Sequence, residues 1–470
     1  MRHSLWSLRC AHLRQKVFHS LQDALPTATE AGKLLLSRGV TTESGEQDIR
    51  QGKTNGGPLV SDQHFYESRV LDKYLTTSVS PITLRQLIFV GRNLNEERLI
   101  KSANYVRSEI ATRLAHRIRD LQTLPFIVGA NSHFQQVYDL YWSAFQLTHK
   151  FPRIKSVCDN DGFCRLLQTM LGEHLVVIPQ LALGISECID FLPPAHIERF
   201  MNVMLRSRIS RRVLAEQHLA LSNDFRHIRP DSQNAFPLDR GRQSIGTVFE
   251  RLKAADVVHK CSRLVTQLTR DNYGEDGLYA LRDLKKEMPT IRLEGHLDTS
   301  FTYIPEHIEF IIYELLKNAV RATMSKHQCS KTTRASPPDI VTTICSSPED
   351  VIFRISDQGG GINTATLESL WKFANPNKPF DRFTTVTKLA GRLGEEDREC
   401  APSHDPYGTS GLGLPLSKVY AEYWGGNLKL YSMDGYGTDA YVRIPKLGNV
   451  AENVVGREMI VNDQSTVSLF

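Results

Sequence analysis

Apolar residues recur every three or four positions through much of the segment from 64 to 221, and this period constrains the fold more than any other feature of the chain. Such a period places the apolar side chains on one face of an α-helix. It is clearest over 134–145, 163–178 and 197–205, and Pro194 precedes the last run as a helix start. Because few strand signals interrupt them, the runs predict an N-terminal all-α domain, a bundle of four helices.

The pattern changes after a polar stretch with proline and glycine at 222–243, where we place the junction between two domains. Beyond it, predicted helices over 245–269 and 305–325 are mixed with short runs of β-branched residues, which are typical of strands. This mixture predicts a C-terminal α/β sandwich and an α+β chain overall. The strand runs are 340–345, 351–356, 427–432 and 439–444.

Length and charge set further bounds. A chain of 470 residues exceeds what one hydrophobic core usually holds, so two folded domains with tails are expected. The formal net charge of +5 comes without a long basic block, so we expect no nucleic-acid partner. No apolar stretch reaches the length of about 18 residues that a membrane span needs. The 8 cysteines form no CxxC pair and no cluster at zinc spacing, and we interpret them as reduced thiols.

The first residues have the composition of a targeting segment. Four basic residues precede the first acidic residue, Asp23, and the apolar residues among them fall along one helical face. This pattern predicts a mitochondrial transit peptide over 1–40, and a merely basic, unstructured N-terminus is the alternative. The remaining predicted segments are a linker at 41–62, a helical domain at 63–235, an α/β domain at 240–447 and a C-terminal tail at 448–470.

The helix predicted from Pro305 carries the first candidate site. Glu314 and Asn318 are four residues apart in "ELLKNA", so they share one face of this helix. An amide oxygen suits Mg²⁺, and a carboxylate beside it can orient or deprotonate a nucleophile. The alternative is a solvated polar stripe without catalytic function.

The stretch "SDQGGGI" follows a predicted strand and carries the second candidate site. Asp357 at the strand end can accept a hydrogen bond from an exocyclic amine such as that of adenine. The triple glycine that begins at Gly359 lets the backbone approach a flat ligand closely or turn at positive φ. A tight turn with a capping aspartate is the alternative.

The stretch "GTSGLGLPLSK" carries the third candidate site. Gly408, Gly411 and Gly413 precede an apolar run that fits a helix, so backbone N–H groups there can point at an anion. The stretch lacks the ending of a P-loop, and no strand immediately precedes it as a dinucleotide-binding fold requires. It therefore predicts a phosphate cradle of another type, with an ordinary turn as the alternative.

In this order the three stretches resemble the ATP site of the GHKL superfamily, which includes histidine kinases, Hsp90-type chaperones and type II topoisomerase ATPases. "ELLKNA" is similar to the N box, "SDQGGGI" and "GTSGLGLPLSK" to the two glycine boxes, and "GYGTDA" at 435–440 to the last box. The helical half adds "RLAHRIRDLQTLPFIVGAN" and "SRISRRVLAEQHLAL". With these segments the chain resembles the mitochondrial pyruvate and branched-chain 2-oxoacid dehydrogenase kinases over nearly all of its folded length.

The resemblance implies a GHKL-type (Bergerat) ATP-binding fold. It also implies a protein serine/threonine kinase that uses ATP and Mg²⁺ to phosphorylate and inactivate the E1α subunit of a 2-oxoacid dehydrogenase complex. By position it makes Glu314 the general base, Asn318 the Mg²⁺ ligand and Asp357 the adenine contact. The other implied nucleotide contacts are Lys317, Arg321, Gly359, Gly361, Thr384, Thr385, Thr409, Ser410, Gly411, Leu412, Gly413, Leu414 and Thr438.

The resemblance also implies partners and a location. The helical domain is expected to dock the lipoyl-bearing domain of the E2 core, and the chain is expected to form a homodimer. The mitochondrial matrix is the expected location, which agrees with the independent interpretation of the N-terminus as a transit peptide.

Some positions depart from the family. Phe310 stands where pyruvate-directed members commonly have a histidine, Thr409 replaces the usual first glycine of the second glycine box, and the tail lacks an Asp-Trp pair. Phe310 and the tail slightly favour the branched-chain branch, whereas Thr409 makes the second glycine box more similar to that of histidine kinases. Two other functions stay open: a histidine-kinase-like activity, although His174, His196 and His218 lack the context of a phosphoacceptor, and a non-catalytic ATP-gated interaction protein.

Overall fold

The N-terminal half of the folded chain is helical. The computed structural model describes residues 62–92, 94–228, 244–275, 288–329, 336–373 and 412–454. Its helices up to the domain junction are α1 (Asp62–Leu75), α2 (Leu84–Arg92), α3 (Glu96–Gln122), α4 (Phe126–Gly129), α5 (Ser132–Lys150), α6 (Val157–Glu173), α7 (Val177–Cys188) and α8 (Pro194–Ile228). The chain between α6 and α7 is a short 3₁₀ turn, His174–Val176.

The predicted four-helix bundle consists of α3, α5 and α8, with α6 and α7 together as the fourth member. Helix α3 packs against α5 and α8, α5 packs against α7, and α6 packs against α8. The apolar stripes that the sequence marks, including Phe134, Phe163 and Ile197, are buried between these helices. The prediction of an all-α bundle is confirmed, because burial of these stripes stabilises the helices more than their intrinsic propensity does.

The helix ends follow local side-chain chemistry. The Asn95 side chain accepts a hydrogen bond from the Arg98 N–H at 2.8 Å at the start of α3. At the start of α6, Ser156 and Asp159 form a reciprocal capping box. Such caps satisfy backbone N–H groups that have no partner within the helix.

Helices α6 and α7 form a long apolar stretch. The stretch Val157–Phe191 is the one candidate membrane span by length and composition within the described part of the chain. Half of its most apolar window, 50%, is buried inside the bundle. Burial of this kind is what a core helix of a bundle shows.

The C-terminal half is a two-layer α/β sandwich. Its five-stranded sheet has the order β3 (Ile291–Gly295), β5 (Ile340–Ser346), β6 (Asp350–Ser356), β8 (Gly437–Pro445) and β7 (Asn427–Met433). Strand β3 is parallel to β5, and the other neighbours are antiparallel. Helices α9 (Ala254–Glu275), α10 (Pro305–Cys329) and α12 (Gly413–Tyr423) pack on this sheet, and a short helix α11 covers Thr364–Ser369.

A small sheet lies outside the predicted elements. Strands β1 (Ser244–Ile245), β2 (Val248–Lys253) and β4 (Ser300–Tyr303) pair in the order β1-β2-β4. The helix predicted over 245–269 is therefore wrong in its first part and correct from Ala254. The reason is long-range pairing: Gly246 turns the chain at φ 61°, and Phe249 on β2 pairs with Tyr303 on β4.

Two boundaries also differ from the pattern in the sequence. Helix α8 continues to Ile228, so the polar stretch expected from 222 begins inside a helix, where Ser222 and Phe225 are buried. Residues 448–454, assigned to a tail, lie on the folded chain. Ala451 forms a β-bridge with Thr83, and the Glu452 N–H donates to the Ile82 carbonyl at 2.8 Å.

Candidate active site

Helix α10 brings the first candidate residues together. Its apolar stripe is buried, and Glu314 on the side toward α12 is only 4% exposed. The Lys317 ammonium donates a hydrogen bond to Glu314 Oε1 at 2.8 Å. Both side chains are largely buried, so this is an ion pair with little solvent screening.

The N-terminus of α12 meets the same carboxylate. A Cβ placed on Gly413 would come closer than 3.0 Å to Glu314 Oε2, which real Cβ atoms essentially never do. Glycine at 413 thus permits the backbone of α12 to reach Glu314. The approaching end is the positive end of the helix dipole, which favours a negative charge.

Asn318 is the next residue on this face. It lies one helical turn from Glu314, and within the described ranges its side chain has no hydrogen-bond partner. Those ranges also contain no group of three or more His, Cys, Asp or Glu side chains that could hold a metal ion. A single free amide oxygen fits a Mg²⁺ ion that takes most of its other ligands from phosphates and water.

Asp357 directly follows β6, at the strand end that the sequence predicts, and is only 9% exposed. Its carboxylate accepts a hydrogen bond from the Gly359 N–H at 2.7 Å, and its own N–H donates to the Thr438 carbonyl at 3.0 Å. Burial raises the pKa of Asp357, while hydrogen bonds from the backbone of Gly359 and Thr438 oppose that shift. The group is a buried acceptor at the end of the sheet.

The glycines after Asp357 are there for close packing. A Cβ on Gly359 would come closer than 3.0 Å to Ala322 on α10, and one on Gly361 would overlap the Met433 carbonyl oxygen. Gly361 also has a positive φ of 75°. The turn therefore fits between α10 and the β7–β8 hairpin, and larger residues would push it outward.

The last box reaches the site through strand pairing. Thr438 is next to Asp357 because β8 pairs with β6 in the register that sets Ser356 opposite Asp439. The Thr438 hydroxyl lies 2.9 Å from the Ser432 hydroxyl, which accepts a hydrogen bond from the Ile362 N–H at 2.7 Å. These bonds join the glycine turn to the hairpin.

Lys326 is a further residue of the site region that the sequence motifs did not indicate. From the last turns of α10 its ammonium donates to the carbonyls of Gly435 and Tyr436, both at 3.1 Å. The spacing of Lys326 from Asn318, two helical turns on the same side of α10, was the available signal.

The remaining predicted contacts divide into two groups. Leu412 is buried at 2% exposure, Leu414 is half-buried beside it, and Arg321 is exposed on α10. The other predicted contacts lie outside the described residues: Thr384, Thr385, Thr409, Ser410 and Gly411.

Aromatic side chains of α10 and α12 pack together one turn before Glu314 on α10. Phe310, one turn before Glu314, packs on the ring of Tyr420 of α12 with centroids 5.1 Å apart. The ring of His307 lies 5.0 Å from that of Tyr420 and accepts a hydrogen bond from the Trp424 indole N–H at 3.3 Å. Burial lowers the pKa of His307 to about 3, so this histidine is a neutral acceptor.

Comparisons with known proteins agree with this geometry. A family profile described as "Mitochondrial branched-chain alpha-ketoacid dehydrogenase kinase" matches residues 81–249. A second, described as "Histidine kinase-, DNA gyrase B-, and HSP90-like ATPase", matches residues 303–448. The first match covers the bundle with the first strands, and the second covers the sandwich with the candidate site. This chain is therefore similar to the mitochondrial 2-oxoacid dehydrogenase kinase family.

Curated relatives of this kinase family match across most of the chain. Pyruvate dehydrogenase (acetyl-transferring) kinase 2 of Saccharomyces cerevisiae is 28% identical and covers 84% of this chain and 87% of its own. The Arabidopsis thaliana kinase is 29% identical, with 79% and 92% covered. Isozyme 3 of Homo sapiens is 26% identical, with 81% and 86% covered.

One solved structure is a weaker match. The catalytic domain of the histidine kinase ThkA covers 42% of this chain and 95% of its own at 14% identity and a TM-score of 0.26. That similarity is too low to carry an argument.

Proposed function

We propose that this protein is a mitochondrial protein serine/threonine kinase that uses ATP and Mg²⁺ to phosphorylate and thereby inactivate the E1α subunit of a 2-oxoacid dehydrogenase complex. The observation that carries the proposal is the position of Glu314, which is buried between Lys317 and the N-terminus of α12, one turn from Asn318. The match to a 2-oxoacid dehydrogenase kinase profile and the names of the relatives support the substrate class.

The nucleotide would bind between α10, the Asp357 turn and the N-terminus of α12. Asp357 would accept a hydrogen bond from the adenine amine, and the close-packed turn from Gly359 to Gly361 would let the base lie against the backbone. The first residues of α12, with Lys317 and Arg321, would present positive charge to the phosphates. We also assign nucleotide contacts to Thr384, Thr385, Thr409 and the other residues for which the resemblance implies them.

Phosphoryl transfer depends chiefly on positioning and on neutralising charge. Mg²⁺, held by the Asn318 oxygen and the phosphates, would neutralise charge on the transferred group. Glu314 would orient the serine hydroxyl and accept its proton as the hydroxyl attacks, and Lys317 would keep that carboxylate in place. Every protein group in this scheme lies on α10 or at its border with α12.

The pyruvate complex is the first target to test, because the relatives are named pyruvate dehydrogenase kinases. The preference for a branched-chain target, drawn from Phe310 and the tail, stays a prediction. Rates of phosphorylation of purified E1 from each complex would decide between them.

Labelling of E1α by radioactive ATP and Mg²⁺ tests the activity itself. The proposal requires acid-stable label on serine of E1α. Acid-labile label on histidine would support the histidine-kinase alternative, and no label on competent E1 would contradict both kinase functions. Asn318→Ala should abolish the thermal stabilisation by ATP and Mg²⁺, which for a ligand at 100 times its Kd amounts to about 2.7 kcal/mol.

For the E2 partner we propose a cavity of about 1130 Å³ beside the bundle. A lipoyl-lysine arm is long and mostly apolar, which suits the apolar walls, and the basic rim suits an acidic face on the domain that carries the arm. The apolar walls include Leu87, Phe89, Val106, Leu214 and Leu221, and the rim includes Arg85, Arg92, Arg98, Lys101 and Arg251.

Calorimetry with isolated lipoyl-bearing domain tests this docking. Phe89 is 67% exposed at the cavity, and Phe126 is 90% exposed outside it, so they form a matched pair. Phe89→Ala should weaken binding of the lipoylated domain by about tenfold, and Phe126→Ala should leave it unchanged. Equal binding of lipoylated and unlipoylated domain would contradict the assignment.

For the homodimer we propose the edge of the sheet at β7. Within the described residues β7 is an edge strand, and its Tyr431 and Met433 are 58% and 68% exposed. Exposed apolar residues on an edge strand favour association. Met433→Lys should shift the sedimentation of the protein to that of a monomer. Leu297→Lys, near the opposite edge at β3, is the control that should not.

The remaining assignments concern the location of the protein in the cell and the roles of its segments. We propose that residues 1–40 direct import into the matrix, that 41–62 form a linker and that 448–470 form a C-terminal tail whose first residues, 448–454, pack on the fold. We assign docking to 63–235 and catalysis to 240–447. Fusion of residues 1–40 to a fluorescent protein should send it to the matrix, and cytosolic fluorescence would contradict the first assignment.

A further inference from the structure

Glu452 is a buried carboxylate that the catalytic scheme does not use. It is 4% exposed, and its side chain contacts three separate parts of the fold. Glu452 Oε1 accepts hydrogen bonds from Arg113 of α3 at 2.7 Å and from the Ile82 N–H before α2 at 3.2 Å. Glu452 Oε2 accepts a hydrogen bond from the hydroxyl of Tyr423, the last residue of α12.

The partner Arg113 is equally enclosed. The side chains of Arg113 and Glu452 are both 0% exposed, and Arg113 also donates to the Ser80 carbonyl at 2.9 Å and to Glu109 at 3.2 Å. An ion pair buried to this degree contributes weakly to net stability but is costly to break, because one charge is left without a partner. Such pairs are a means of fixing geometry.

The chain around Glu452 also fixes the C-terminal end of α12. The Asn453 N–H donates to the Tyr423 carbonyl at 2.8 Å. Arg206 of α8 donates to Glu422 at 2.7 Å and to the Asn453 carbonyl at 3.3 Å. The end of α12 is thus bound by both the bundle and the segment that contains Glu452.

The other end of α12 is the part that touches Glu314. The helix has 11 residues, a rod of about 16 Å at 1.5 Å per residue. A shift or rotation at Tyr423 therefore moves Gly413 against Glu314, and it moves Tyr420 against Phe310. A helix transmits such a displacement because its backbone hydrogen bonds keep it rigid over this length.

We propose that Glu452 is a positioning residue for the ATP site: by binding Arg113 and Tyr423 together, it sets α12 so that Gly413 stays against Glu314. It joins the bundle to the catalytic helix through charge and hydrogen bonds rather than through apolar packing alone. This inference rests on the kinase function proposed above.

Two substitutions weaken the link between Arg113 and Tyr423 with little change of shape. Glu452→Gln removes the charge, and Tyr423→Phe removes one hydroxyl and leaves the ring. Each should raise the Kd for ATP and Mg²⁺ on the order of tenfold, as expected for loss of a hydrogen bond to a charged group that orders the site. Because both act on the same link, the double variant should bind ATP no more weakly than the weaker single variant, within about twofold.

Asn104 provides the control. It lies on α3, as Arg113 does, and its side chain exchanges hydrogen bonds with the Ile154 backbone at 2.8 and 3.1 Å instead of with α12. Asn104→Ala should lower the unfolding midpoint and leave the Kd for ATP unchanged. Binding is measured by titration well below the unfolding midpoint of every variant, so that loss of folded protein does not enter.

The outcomes separate the two proposals. Unchanged ATP affinity in Tyr423→Phe and Glu452→Gln, with a lowered unfolding midpoint as in the control, would overturn the positioning role. If Glu452→Gln does not fold, Tyr423→Phe decides alone. ATP binding by the wild-type chain without phosphorylation of E1α would overturn the kinase function and leave the positioning role to the titration, and no ATP binding at all would overturn both.

Discussion

Gly413 lies directly against the carboxylate of Glu314, with no room for a side chain between the two residues. Glycine at 413 therefore lets the start of α12 form one wall around the proposed general base. Glu314 of the N box and Gly413 of the second glycine box thus meet in the fold, although they are 99 positions apart in the chain (413 − 314).

Gly413→Ala should disturb the position of the proposed general base. The added methyl group forces Glu314 or α12 to move, and a displacement of about 1 Å at a catalytic group costs about 100-fold in rate. We expect kcat for E1α phosphorylation to fall by about 10- to 100-fold. Steady-state kinetics measure this.

The matched control is Gly172→Ala in α6, where an added Cβ meets nothing within 4 Å. Alanine has the higher helix propensity, so this variant should keep its activity and unfold at the same or a higher temperature. Equal activity of the two glycine variants would contradict the assignment of Gly413.

Glu314→Gln separates binding from chemistry. Glutamine keeps the size of the side chain and can still accept the hydrogen bond from Lys317, but it cannot take a proton. Phosphorylation of E1α should fall by about 100- to 10,000-fold, the usual contribution of a general base, while ATP still binds. Single-turnover kinetics and titration with ATP measure the two effects.

Glu309→Gln is the control for that change. Glu309 is also a buried glutamate of α10 with a lysine partner, Lys260 at 3.1 Å, but Lys260 belongs to α9 and not to the site. This variant should phosphorylate E1α at nearly the wild-type rate. A similar loss in both variants would show that a buried charge on α10, and not a base, is what matters.

Asp357 gives a prediction for pH. Burial holds the pKa of Asp357 above its usual value, so its carboxylate takes up a proton at a higher pH than a free aspartate does. The protonated group is a weaker acceptor for the adenine amine. ATP affinity should thus be constant at neutral pH and fall as the pH is lowered through the raised pKa.

Asp357→Asn removes this titration. Its affinity for ATP at neutral pH should be about tenfold lower, since a hydrogen bond to a charged group is lost, and it should change less on acidification than the wild type. Protonation of adenine itself affects both proteins alike. Parallel curves for the two would contradict the role of Asp357.

Particular residues show how much the sequence could predict. The period through Phe134 and Phe163 predicted the bundle because burial follows directly from it. The β-branched run before Asp357 predicted β6, because such residues fit the half-buried surface of a sheet. Strand β2 was predicted as helix because its pairing with Tyr303 depends on a residue about fifty positions away in the chain.

The kind of site could be predicted from the sequence, but the contacts that hold its residues in place could not. Glu314, Asn318 and Asp357 lie in short motifs whose chemistry is local. The contact between Gly413 and Glu314 and the bonds from Lys326 to the hairpin arise from packing of distant segments. Glu452 carries no local signal, because its partners Arg113 and Tyr423 come from two other helices.

Three buried histidines should make the folded protein less stable in acid. Burial lowers the pKa of His174 and His307 to about 3 and that of His218 to about 4. The unfolded chain binds protons at these groups near pH 6.5, and the folded chain does not. Stability is therefore complete above pH 6.5 and is lost as the pH falls from there toward the folded values.

Between pH 7.5 and 5.5 each of these histidines should lower the free energy of unfolding by about 1.4 kcal/mol, and the three together by about 4 kcal/mol. Urea unfolding at the two pH values measures the change. In His307→Gln, whose amide oxygen can still accept from Trp424, the loss should be smaller by about one third. His196→Gln, at an exposed position of α8, is the control that should lose as much as the wild type, and an equal loss in His307→Gln would contradict a buried neutral imidazole at 307.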